Sequence, residues 1–153
     1  MIRRLLTRIR DDDRGAAIIE LALVAPILAT MTVGVIDLSN GFSRKLALEQ
    51  AAQRSIEKVM QTTGEKSVDD TIKDEAAEAA GISTDHVTVT YTLTCNGVSQ
   101  ADYTTECADD RTEVRYTEVS LWDTYTPMIP MRMAGMQSDG SYRLTAVNGI
   151  RTQ

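Results

Sequence analysis

Glu20 is the one carboxylate in an otherwise apolar stretch, Ala16 to Ile36, and Gly15 stands five residues before it at the end of an arginine-rich leader. A carboxylate in a membrane-spanning helix costs about 2.5–3.5 kcal/mol on insertion scales, so this residue type in this setting points to a charge partner. Cys95 and Cys107 form an even pair flanking a polar, turn-rich stretch. In an oxidising compartment they read as a disulfide, which would contribute about 3 kcal/mol by restricting the unfolded chain. Two sulfurs and the distant His86 fall short of the four ligands a zinc site normally takes. His86 is the only histidine, so Ser-His-Asp or Cys-His catalysis would rest on it alone, and no nucleophile elbow surrounds any serine. Asp109, Asp110 and Glu113 match no EF-hand spacing and read as a solvated acidic loop. The residues therefore predict no enzyme, no metal site and no cofactor.

These groups need elements to hold them. A chain of 153 residues, with about a third in an apolar segment, leaves about a hundred residues for one small α+β module. The 21 residues from Ala16 to Ile36 would span about 31 Å as a helix, enough to cross a bilayer core, with Pro26 as the expected bend. Arg3, Arg4, Arg8, Arg10 and Arg14 precede this run against Asp11, Asp12 and Asp13. Such a basic flank places the N-terminus in the cytoplasm and everything after residue 37 outside. A secretory signal is a competing reading, but the run is long for one and no small-x-small cleavage site closes it before Asp37. The net charge of −6 includes the basic leader, so the remainder is more acidic still and offers no face for nucleic acid.

Beyond a polar girdle at Asp37, Ser39, Asn40 and Gly41, the residues Leu48, Ala51, Ala52, Ser55, Ile56, Val59 and Met60 recur at helical spacing. They predict an amphipathic continuation to about Gln61, some 70 Å of helix if unbroken, with Gly34, Gly41 and Pro26 as places to bend or melt. Thr62, Thr63 and Gly64 should end it. Ser67, with Asp70 as capping-box partner, opens a second helix lined by Ile72, Ala76, Ala79 and Ala80 and stopped at Gly81. Val87, Val89, Tyr91 and Leu93 alternate with threonines over His86–Thr94, a half-buried strand. Val114 and Tyr116 fall out of phase with Val119 and Leu121, which suggests a second strand with a bulge near Thr117. A last strand over Ser141–Asn148 puts Tyr142, Leu144 and Ala146 together. Between them Pro127, Pro130, Met128, Met131, Met133 and Met136 make either a contact surface or a flap over the core.

The run Arg14-Gly15-Ala16-Ala17-Ile18-Ile19-Glu20-Leu21-Ala22-Leu23-Val24-Ala25-Pro26 resembles the opening of TadE-like minor pseudopilins of tight-adherence (Flp-type) type IV pili. Leu46 to Arg54 resembles that family's post-membrane helix, and Tyr125 to Pro130 and Tyr142 to Ala146 its C-terminal strands more loosely. The resemblance implies a type IV pilin-like fold: leader 1–15, membrane or fibre-core helix 16–37, amphipathic continuation 38–62, and a periplasmic α+β domain 63–153 with three antiparallel strands. It implies cleavage by a prepilin peptidase after Gly15, so that Glu20 becomes the fifth mature residue. The new α-ammonium at Ala16 then supplies the charge partner that Glu20 lacks. Expected partners are the peptidase, other pilins or pseudopilins and the inner-membrane assembly platform, with incorporation into an extracellular fibre. The family usually places an aromatic after the glutamate, where this chain has Leu21. The soluble part is also larger than a bare fibre subunit needs, which favours a minor role. The rival reading is an uncleaved, single-pass periplasmic adaptor.

Overall fold

The computed structural model describes residues 13–62, 71–129 and 135–152. In chain order the elements are helix α1 (Asp13–Thr62), helix α2 (Thr71–Ala80), a 3₁₀ turn (Thr84–His86), and strands β1 (Val87–Cys95), β2 (Val98–Ser99), β3 (Glu113–Tyr125) and β4 (Tyr142–Arg151). The chain divides into two units, 1–39 and 40–153, with the division inside α1. The expected cap at Ser67 and Asp70, the stop at Thr63 and Gly64, and Pro130, Met131 and Met133 lie outside the described residues.

In the first unit, Ile18, Ile19, Leu21, Leu23, Ile27, Leu28, Met31 and Val35 are all exposed. Helical backbone continues through Pro26, which lacks the N–H that residue 22's carbonyl would accept from. Thr30 and Thr32 donate their hydroxyls to the carbonyls of Pro26 and Leu28, each at 2.8 Å. Those bonds hide two polar groups that an apolar surrounding could not satisfy.

In the second unit the sheet order is β2-β1-β3-β4, antiparallel throughout. Four strands replace the expected three. Asn96 and Gly97 both take positive φ, 49° and 81°, and this Asn-Gly pair closes a two-residue hairpin from β1 into the short β2. The anticipated bulge near Thr117 is absent, because β1 and β3 pair without interruption from Val87↔Leu121 to Cys95↔Glu113. Arg115, Thr117, Val119 and Leu121 share the buried face, and Tyr116 lies exposed on the other. Hydrophobicity alone misplaced Val114 and Tyr116, since two polar residues occupy the inward positions beside them.

The core lies between that face and the helices. Leu48, Ala51, Ala52, Ser55, Ile56 and Val59 of α1 are buried, and all of these but Ser55 belong to a cluster that includes Val87, Val119, Leu121 and Ala146. Each large apolar side chain buried there contributes about 1.5–3 kcal/mol. Met60 departs from the expected stripe and is 54% exposed. Gly41 does not break the helix: a side chain there would meet the Tyr125 ring at 3.4 Å, so the glycine makes room for it. On α2 the buried residues are Ile72, Ala76, Ala77 and Ala80, with Ala79 outside. A face made mostly of alanines leaves its rotation to the neighbouring layers.

Arg44 joins these layers. Its Nε donates to Asp123 Oδ2 on β3 at 2.6 Å, and its Nη1 to the Ala80 carbonyl at the end of α2 at 3.0 Å. The same helix end closes in a Schellman pattern, with Gly81 N donating to Glu78 O at 3.1 Å and Ile82 N to Ala77 O at 3.0 Å. Gly81 holds φ at +62°. Gly81→Ala should therefore cost about 1 kcal/mol in chemical denaturation; an unchanged midpoint would show that this cap is dispensable.

Candidate functional site: the amino-terminal helix and the disulfide loop

Gly15 and Ala16 lie in the first turn of α1, and Glu20 follows Ala16 by four residues, one helical turn. Glycine at this place weakens the helix by about 1 kcal/mol relative to alanine. That eases local unwinding of the turn that holds the Gly15–Ala16 bond. Glu20 is exposed, as are Ile18, Ile19 and Leu21 around it. Among the described residues α1 is the one helix long and apolar enough to cross a membrane, and none of its most apolar stretch is buried.

Cys95 and Cys107 are joined by a disulfide, with Cα atoms 5.7 Å apart. The loop they close is fastened to the sheet by Arg115, a residue the sequence reading passed over. Arg115 is 2% exposed on the inward face of β3. Its Nε donates to Glu113 Oε1 at 2.8 Å, its Nη2 to the Thr105 carbonyl at 2.7 Å, and its Nη1 to the Tyr103 carbonyl. The guanidinium also lies over the Tyr103 ring, 5.0 Å from its centroid, and Tyr91 packs against that ring at 5.1 Å. Glu113 Oε2 accepts from Cys107 N at 3.1 Å, so one ion pair links the sheet, the loop and the disulfide. A basic residue between Val114 and Tyr116, two positions after Glu113, was the available signal, but it became readable only once the strand register was known.

Glu113 is thereby engaged away from Asp109 and Asp110, which are exposed. No group of three or more His, Cys, Asp or Glu placed to hold a metal occurs among the described residues. His86 stacks on Trp122, ring centroids 3.7 Å apart, and its buried Nδ1 makes no hydrogen bond. Of the methionines, Met128 is exposed and Met136 bridges Tyr142.

Two exposed turns carry the resolved acid chemistry. The Thr104 hydroxyl and N–H both donate to Asp102 Oδ1, at 2.7 and 2.9 Å, and hold that carboxyl below its ordinary pKa. At Asp139 the N–H and hydroxyl of Ser141 do the same, at 3.0 and 2.7 Å. A lowered folded pKa means stability that is present above the unfolded carboxylate range and is lost as pH falls through the folded values. Carbon-detected NMR titration should place both midpoints below the ordinary values of aspartates in unstructured peptides. Midpoints at or above them would contradict these contacts.

With this geometry in view, a family model described as TadE-like protein matches residues 15–56. Residues 15–56 are a TadE-like segment. The match begins at Gly15 and ends at Ile56, so the TadE-like segment holds Glu20, the exposed apolar run and most of the α1 face buried against the sheet. No curated protein and no solved structure matches the chain.

Proposed function

We propose that this protein is a minor pseudopilin of a tight-adherence pilus. The observation that carries the reading is the TadE-like segment, which associates the chain with that pilus system and opens on the proposed processing glycine. In this reading a prepilin peptidase cuts after Gly15 and discards the basic leader 1–15, and Glu20 neutralises the α-ammonium of Ala16, in the same or a neighbouring subunit. Both charges would be costly alone in an apolar bundle and are far less so together. Residues 16–37 would lie in the inner membrane and then in the fibre, with Pro26 bending the helix. Residues 38–62 continue that helix into a periplasmic domain, 63–153, stapled by Cys95–Cys107. The exposed apolar face of residues 18–35 supports this account, since such a surface needs lipid or other helices to cover it. Other pilins or pseudopilins and the inner-membrane platform are the partners, adhesion and biofilm formation the outcome, and the protein's work is assembly, not catalysis.

Shear fractionation tests this directly. An epitope-tagged chain should appear in sheared fibres at a low ratio to the major subunit, and should stay in the inner membrane when the assembly platform is deleted. Complete retention in the inner membrane of a piliated strain would instead favour the uncleaved periplasmic adaptor.

A further inference from the structure

On the sheet face turned away from the helices, two adjacent cross-strand rows meet: Thr90, Glu118 and Gly149, then Thr92, Tyr116 and Arg151. Gly149 sits within β4. A glycine inside a strand marks a bulge, a bend or a close approach by another group, and here the β3–β4 register runs unbroken through Glu118↔Gly149, so no bulge accounts for it. At these rows lies an open hollow of about 280 Å³, lined by the six residues together with Thr117 and Ile150.

The lining selects a ligand class. The threonine hydroxyls both donate and accept, the Glu118 carboxylate only accepts, and the Arg151 guanidinium only donates. Tyr116 is 45% exposed and offers a ring surface. One acidic and one basic group together favour neither a simple anion nor a simple cation. A neutral ring carrying hydroxyls on its rim and C–H bonds on its faces suits all of these groups at once. Ligand pockets measure about 300–1,000 Å³, and a hollow of about 280 Å³, just under that range, has room for a single sugar ring and not for a longer glycan.

We propose that this hollow binds one pyranose unit of a glycan, with Glu118, Arg151 and the two threonines on its hydroxyls and Tyr116 against its C–H face. The site is independent of the pilus reading, because none of its residues belongs to the TadE-like segment. Gly149→Val gives a test: a Cβ there would meet the Thr117 carbonyl at 3.4 Å and Glu118 Cα at 3.6 Å, ordinary contact, so a side chain can start there and narrow the hollow.

The experiment is saturation-transfer NMR on the full chain in a phosphocholine detergent, which carries no sugar headgroup. The probes are glucose, galactose, mannose and N-acetylglucosamine, with glycine as a zwitterionic comparison. At least one sugar should bind saturably in the millimolar range and weaken about tenfold or more in Gly149→Val, whose melting should match the parent. Glu118→Gln should weaken the same sugar even if the valine variant folds poorly. The proposal is overturned if none of the four sugars binds, if both variants bind as the parent does, or if glycine displaces the sugar.

Discussion

A Glu20→Gln protein is expected to enter the membrane at least as well as the parent and to assemble far worse. The two effects have opposite signs because they draw on different terms. Replacing the carboxylate with a neutral amide relieves part of the about 2.5–3.5 kcal/mol that a charge there costs on insertion. If the chain is cut after Gly15 as proposed, the change also strands the new ammonium at Ala16 within a helical bundle, and breaking a buried pair by deleting one partner costs about 3–5 kcal/mol. At 1.4 kcal/mol per tenfold, that is about a hundredfold or more in the equilibrium for incorporation. The measurement is the ratio of variant chain in sheared fibres to variant chain in the membrane fraction. Normal incorporation of Glu20→Gln would remove the glutamate from the assembly account, whatever its effect on insertion.

Arg115→Leu should give the largest loss of folding stability of any single change outside the apolar core, about 3–5 kcal/mol. Leucine fills the space but takes the Arg115 guanidinium away from the Glu113 carboxylate and from the Tyr103 and Thr105 carbonyls. Because Glu113 also holds Cys107 N, the loop should loosen where the disulfide is anchored, and dithiothreitol should reduce Cys95–Cys107 faster than in the parent. Arg115→Lys should fall between the two, since an ammonium keeps the charge but cannot reach three acceptors as a planar fork does. Chemical denaturation, followed with reduction kinetics, measures both effects. A change within about 1 kcal/mol, with unchanged reduction, would mean that the loop is held by the disulfide and Tyr103 packing alone.

Arg115 also shows where the sequence stopped being legible. The long helix could be read because its signals are local: an apolar run, then Leu48, Ala51, Ala52, Ile56 and Val59 at 3.6-residue spacing. β1 was equally readable, since its threonines alternate with its apolar residues. β3 was not, because its buried face carries Arg115 and Thr117, whose burial depends on partners from a loop and two other strands. Reading apolar as inward pushed Val114 and Tyr116 to the wrong side and called for a bulge to reconcile them with Val119. β2 was missed for another reason: two residues are too few to show a period, and only the Asn96-Gly97 turn announces it. The sugar-sized hollow was invisible for the same cause as Arg115, since Thr90, Tyr116 and Gly149 converge only when three strands are aligned.

The most direct test of the pseudopilin account is intact-mass and N-terminal analysis of the membrane-extracted protein, with and without a co-expressed prepilin peptidase. The account predicts a chain that begins at Ala16 only when the peptidase is present. A chain that begins at Met1 under both conditions would contradict it and leave Glu20 to a contact inside a permanently anchored membrane complex.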